Sequence, residues 1–513
     1  MSPRADLRRG WCPSLSRPMR SGDGLLVRLR LACGVLPPRL ARAIAGCAKR
    51  FGNGLVDLTR HGNLQLRGVG DASLPELSAE LSQVLVPPTE GEPAAGRNIV
   101  ASPLAGLDPS AVCDIRPIVT ALQDEIARDA ALRALPAKFS FLVDHGGRFG
   151  LDEITADLRF LGMRTPGEPR FVIALGGTAE AAVEIGSCAG AQLPLAATAL
   201  ARAFLSLRGR GQEAPRRMGE LVHRMGIESF TRLLGYIAWE PGTSTEASTA
   251  RAGRLRLAHV IPTGGRARTN RRARPLLPLA GEGASTKSRR MRASVPGGTF
   301  PHPSPLRGDT FSREREKEER TIGFHPLREE VGCLAVGAPF GRLFADQLER
   351  IAEAAEGSDA ELRVTPWRAL LIAPIGLDQA KELLPFVASL GLVADPDDPR
   401  LAVAACPGAP HCSSATVSTR GEALLLAPLA RGFANEGIGL HLSGCRKGCA
   451  RSDATPITLV GRDGRYDLVL DGRPGDEPWR SGLTVPEAKR LLERGFSKRH
   501  GGTVHHDKAG NAG

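Results

Sequence analysis

Four cysteines in two close pairs constrain this chain more than any other feature. They stand in Ala405-Cys-Pro-Gly-Ala-Pro-His-Cys412 and, after 32 intervening residues, in Ser443-Gly-Cys-Arg-Lys-Gly-Cys449. The fold must bring two loops, each with two soft ligands, to one place. Four thiolates so placed can hold an iron–sulfur cubane. Pro407, Gly408, Gly444 and Gly448 make tight turns, so backbone N–H groups can approach the sulfurs and offset the cluster's negative charge. A structural zinc site competes for such a set, but zinc pairs usually span two to four residues and the first pair here spans five. Four unrelated core thiols would not sit among Pro/Gly turns beside His411, Arg446 and Lys447. Spacing and ligand softness point to a [4Fe–4S] cluster on Cys406, Cys412, Cys445 and Cys449.

The other cysteines, Cys12, Cys33, Cys47, Cys113, Cys188 and Cys333, are scattered and read as small buried hydrophobes. Met1–Arg9 lacks an apolar signal region, and no run of about 18 uncharged apolar residues is present. The expectation is a cytoplasmic protein without disulfides and without a membrane partner. The net charge of +13 suggests nucleic acid, yet 17 basic and 7 acidic residues fall within 245–321, leaving +3 for the rest. A nucleic-acid site needs a basic face on a folded element, and none is legible, so no nucleic-acid partner is expected.

Residues 23–86 read as strand, helix, strand: Leu25–Leu31, then Leu40, Ala43, Ile44 and Cys47 at helical spacing, then Leu55–Leu58 and Leu64–Leu66. The same order returns in Cys333–Val336, then Leu348, Ile351, Ala352 and Ala355, then Leu362–Val364 and Ala369–Ile372. Two copies of one unit are implied. A larger unit follows each copy. The first contains a helix with Pro117 in its first turn and Ile118, Leu122 and Ile126 on one face. The second carries the cysteines and ends in a helix opened by the capping box Thr484-Val-Pro-Glu487. Residues 245–321, rich in Arg, Pro, Gly and Ser, read as a disordered basic insertion, and 497–513 as a disordered tail.

With those motifs in place, the chain resembles the nitrite and sulfite reductase family. The resemblance implies an α+β fold in which two ferredoxin-like half-domains alternate with two larger α/β domains, a pseudo-twofold duplication. The implied boundaries are 8–88 and 322–396 for the half-domains, 96–241 for the first large domain and 400–496 for the cluster-binding one. In that family the last cysteine bridges the cluster to siroheme iron, and the resemblance implies this role for Cys449. Thr59-Arg-His-Gly-Asn-Leu-Gln65 is similar to a family segment whose arginine faces the anion or tetrapyrrole, here Arg60. Gly96-Arg97-Asn98 resembles the segment of a second anion arginine. Leu135-Pro-Ala-Lys-Phe-Ser140 resembles a Lys-x-Lys segment in which Lys138 fills the first place and Ser140 replaces the second lysine.

One branch fits more closely. Arg9-Gly-Trp-Cys-Pro-Ser14, Arg17-Pro-Met19, Asp23–Arg28 and Leu58–Gly68 look like the precorrin-3B synthases. About 436 residues remain without 245–321. This resemblance implies an oxidoreductase, a monooxygenase of aerobic cobalamin biosynthesis. It would take precorrin-3A and O2, with C20 hydroxylation and γ-lactone formation, and draw on an NADH-linked or ferredoxin-like electron donor. A mononuclear non-haem iron beside the cluster is implied as well. Arg60, Arg67, Arg97 and Lys138 would pair the macrocycle's carboxylates. No ligand set for that iron stands out among His61, His145, His411 and His441. The alternative is a siroheme-dependent nitrite or sulfite reductase.

Overall fold

The computed structural model describes residues 13–84, 98–211, 213–230, 322–432, 437–451 and 453–496. Cys12, Arg97, the stretch 245–321 and the tail 497–513 lie outside the described residues.

Among the described residues four five-stranded sheets carry the structure, two small and two large. The first small sheet runs β1 (Met19–Ser21), β2 (Gly24–Leu29), β5 (Leu64–Val69), β4 (Leu55–Leu58). The second runs β11 (Gly323–Pro326), β12 (Gly332–Gly337), β15 (Ala369–Ile375), β14 (Glu361–Val364). Each receives its fifth strand from the other copy. Val35–Leu36 (β3) pairs with β14, and Arg342–Phe344 (β13) pairs with β4. The helices α1 (Pro38–Phe51) and α6 (Ala345–Gly357) bury Ile44 and Leu348 in one shared core, and Lys49 bridges to Asp346 and Glu349.

The exchange is set by two matching turns. Cys33 and Gly34 have φ of 52° and 68°, Phe340 and Gly341 of 54° and 71°. Gly34 is required twice over. Its φ lies in the left-handed region, and a Cβ there would strike the carbonyl of Val364 on the partner strand.

The large sheets also repeat. Asn98–Ala101 (β6), Ser140–Asp144 (β7), Leu158–Met163 (β8), Arg170–Leu175 (β9) and Val183–Ala189 (β10) lie in sequence order. So do Val403–Ala405 (β16), Leu440–Ser443 (β17), Thr455–Arg462 (β18), Arg465–Gly472 (β19) and Arg480–Leu483 (β20). In both, the first two pairings are parallel and the last two antiparallel. Helices α3 (Arg116–Arg128) and α4 (Leu193–Leu207) cover the first sheet. Helices α8 (Thr419–Ala430) and α9 (Val485–Phe496) cover the second. In α3 the buried face is Val119, Leu122 and Ile126. The Thr484–Glu487 box forms, with Thr484 N and Oγ1 donating to Glu487 Oε2 at 2.8 and 2.7 Å.

The α+β duplication expected from the sequence is therefore the architecture found. Among the described residues no helix is long and apolar enough to cross a membrane. Cys33, Cys47, Cys188 and Cys333 are buried free thiols and Cys113 is half-buried, as their scattered positions suggested.

Candidate functional site

Parallel pairing explains how two cysteine pairs with 32 residues between them meet. Cys406 directly follows β16, and Cys445 follows β17 after one glycine. These strands are parallel neighbours, with Ala405 opposite Leu442, so both loops leave the same end of the sheet. The carboxyl ends of parallel strands are where open α/β sheets place ligands. The Gly444 N–H donates to Cys406 Sγ at 3.1 Å. Lys447 Nζ donates to Ser414 Oγ at 2.9 Å and ties the loops together. Gly408 (φ 66°) packs so tightly on Thr419 that a Cβ would lie 2.6 Å from the Thr419 nitrogen.

The four thiols act on one another. Burial, then Cys445, Cys406 and Cys412, pushes the Cys449 thiol up to about 11. Cys445 is raised mainly by burial, with Cys412 and Cys406 adding. Thiols that resist ionisation alone, as Cys445 and Cys449 do, suit a cationic iron core, which deprotonates its ligands as it binds. Their chemistry and the N–H group on Cys406 fit a cluster at this place. Among the described residues no group of three or more His, Cys, Asp or Glu, the four cysteines included, already stands around one ion-sized point. The cysteine set rests on its spacing and loop chemistry, and for the mononuclear iron no ligand set can be assigned.

A buried ionic network anchors the Cys412 loop to the first half-domain. Arg67 is 2% exposed and donates to Asp23 (3.0 Å), to Ser21 Oγ (3.0 Å) and to the carbonyl of His411. His411 Nδ1 meets Asp23 Oδ2 at 3.0 Å, and Ser21 Oγ donates to the His411 carbonyl at 2.6 Å. Arg67, expected from the resemblance to pair ligand carboxylates, thus has its donors engaged inside the protein. Asp57 receives Arg420 (2.6 Å), Arg342 (2.8 Å) and, more distantly, Arg67 (3.5 Å). Burial opposes ionisation of Asp57, but those guanidinium groups outweigh it and hold the carboxyl far below its usual range.

Next to this network stand further arginines, and among the described residues carboxylates are fewer than guanidinium groups on this side. Arg60 is exposed at the tip of the turn Thr59–Asn63, where Thr59 Oγ1 accepts the N–H groups of His61 and Asn63. The second copy builds the same turn, with Thr365 Oγ1 accepting the Ala369 N–H at 2.9 Å, and presents Arg368 with φ 67°. Burial, then Arg420 and Arg60, lowers the Arg368 pKa to about 10, while Asp57 and Cys406 act the other way. Arg60 and Arg368 therefore approach one another beside the cysteine site. Burial, then Arg28, Arg217 and Arg60, holds His61 down to about 4. Arg368, Arg420 and Arg451 each leave a buried Nε without a partner. Half-buried cations with unused donors are unfavourable unless an anionic ligand answers them.

The remaining expected residues are dispersed. Lys138 is exposed, two residues ahead of Ser140. Ser140 is buried, with its N–H on Asp157 Oδ2 at 2.9 Å. His145 is buried and accepts the Gly147 N–H at 2.9 Å. Sequence reasoning missed Arg368, Arg420 and Arg451. Arg368 had a signal, a threonine shortly before the next strand in both copies, Thr59 five residues ahead of Leu64 and Thr365 four ahead of Ala369. Arg420 and Arg451 had none, since only the tertiary fold brings them to this face.

Comparisons with known proteins agree with this architecture. The family described as Nitrite/Sulfite reductase ferredoxin-like half domain matches residues 17–84 and 325–387. The one described as Nitrite and sulphite reductase 4Fe-4S domain matches 94–239. The chain is 31% identical to the precorrin-3B synthase of Sinorhizobium sp over 478 residues, covering 92% of this chain and 85% of that protein. It is 24% identical to the ferredoxin–nitrite reductase of Synechococcus elongatus, covering 91% and 83%. Among solved structures, the NirA protein of Mycobacterium tuberculosis superposes with a TM-score of 0.63 at 20% identity, covering 92% of this chain and 80% of that one.

Proposed function

This chain belongs to the precorrin-3B synthase family, built on the nitrite and sulfite reductase fold, and from that premise we propose that it uses O2 to hydroxylate precorrin-3A at C20 with γ-lactone formation. Membership makes it an oxidoreductase of an iron–sulfur family. The observation that carries the finer reading is the surplus of arginines beside the cysteine loops. Asp23 and Asp57 face Arg67, Arg342, Arg420 and Arg368, and Arg60 and Arg451 add to the same side. A metal-free macrocycle rich in carboxylates answers that surplus, with guanidinium groups pairing carboxylates two bonds at a time.

In this reading Arg60 and Arg368 orient the macrocycle from the two half-domains, and Arg420 and Arg451 fix its edge near the cluster loops. Cys406, Cys412, Cys445 and Cys449 would hold the [4Fe–4S] cluster, which supplies single electrons when bound. The Arg67–Asp23–His411 network keeps the Cys412 loop against the half-domain that carries Arg60. Relatives named ferredoxin–nitrite reductase support a ferredoxin-like donor. They also support a second reading, siroheme-dependent reduction of nitrite. Against it, the place of a second anion lysine holds Ser140, buried and bound to Asp157.

Anaerobic titration with precorrin-3A tests the site. Wild-type protein should bind it, and Arg60→Ala should bind about ten- to a hundredfold more weakly, the worth of one charge-assisted pair. Equal affinity in the two proteins would remove Arg60 from the ligand.

A further inference from the structure

His441 lies in β17, four residues before Cys445, and the site described above does not use it. It is fully buried, and among the described residues neither ring nitrogen has a hydrogen-bond partner. Leu440 and Leu442 point into the helix-covered core. Strand alternation therefore puts His441 on the opposite face, where Ala404 stands across from it in register and packs with Cys406 and Ala450. Burial, then Arg451 and Arg368, holds the imidazole at about 4, so it is neutral, with one donor and one acceptor. Both of those arginines have a buried, unpartnered Nε of their own. A polar side chain without partners is rarely kept in a core unless something outside the chain completes it.

We propose that His441 touches the bound macrocycle and gives it a neutral hydrogen bond beside the charge pairs of Arg368 and Arg451. This rests on the reading of the ligand as a metal-free, carboxylate-rich macrocycle. A neutral imidazole is a poorer match than guanidinium for a carboxylate. It suits ring nitrogens, which in a metal-free macrocycle offer both N–H donors and lone pairs. A metal ion on His441 would instead enter the field of Arg451 and Arg368, the two charges that act on the imidazole, and both repel a cation.

The test is anaerobic titration of the holoenzyme with precorrin-3A, run beside iron and sulfide analysis and thermal unfolding of the ligand-free protein. His441→Leu should weaken binding about tenfold. Iron and sulfide should stay at wild-type levels. The unfolding midpoint should hold or rise, because an apolar side chain removes two orphaned nitrogens. His441→Gln keeps a donor and an acceptor and should recover most of the affinity. The loss in His441→Leu should be the same at low and high salt, whereas that of Arg60→Ala should shrink as salt rises. Unchanged affinity in His441→Leu would overturn the inference and make His441 a core residue. Lost iron with affinity retained would overturn it in favour of a metal ligand. Wild-type protein that binds no precorrin-3A would overturn the functional reading and this inference with it. Binding by wild type and His441→Leu alike would sink only the inference.

Discussion

Alanine at Cys406, Cys412 or Cys445 is expected to take the anaerobic protein from about four irons and four labile sulfides at this site to none, with the visible absorption lost alongside. Each cysteine binds a different corner of a cubane, so three ligands leave one iron open. The neighbouring positions offer no obvious replacement: Gly444 precedes Cys445, Gly448 precedes Cys449, Pro407 and Gly408 follow Cys406, and His411 is held on Asp23. Cluster binding also contributes to ordering both loops, because ligands and fold form together. Stoichiometric zinc without sulfide in the wild-type protein would contradict the assignment, as would full iron retention in all three variants.

The second large effect concerns stability. Asp57→Asn is expected to cost about 3–5 kcal/mol, read from the urea midpoint, because it strips the one carboxylate shared by three buried guanidinium groups. The pH dependence follows from the direction of the shift. Asp57 has its pKa depressed on folding, so its contribution is complete above the ordinary value of 3.8 and fades only as pH falls toward the lower folded value. The gap between wild type and variant should therefore be constant through neutral pH and narrow only in strong acid. A gap that already closes between pH 7 and 5 would mean that Asp57 is not held ionised by these arginines.

Much of the architecture was legible because periodicity and order survive duplication. Ile44 and Leu348, at matching places in two helices, announced two copies of one unit, and the two copies share one core. The strand exchange was not legible. It depends on the turns at Cys33–Gly34 and Phe340–Gly341, whose sequences share only the glycine. The cysteine pairs could be found by spacing, since soft ligands in Pro/Gly loops have few other uses. Of the arginines proposed to face the ligand, Arg60 was reached through the resemblance, but Arg368, Arg420 and Arg451 could not be found by spacing. An arginine reads alike whether it faces solvent, as Arg60 does, or closes an internal network, as Arg67 does. Burial decides between these roles, and burial belongs to the tertiary structure. For the same reason His441 stayed one histidine among four. Only its missing partners set it apart.

The central claim is that the arginine-rich face beside the cysteine loops receives a metal-free macrocycle as substrate. Its most direct test is incubation of the anaerobically purified protein with precorrin-3A, a reductant and isotopically labelled dioxygen, followed by mass analysis of the pigment. The account predicts a product heavier by one oxygen atom, with the label in the new hydroxyl. Purified protein that carries stoichiometric siroheme, reduces nitrite or sulfite and leaves precorrin-3A unchanged would contradict it.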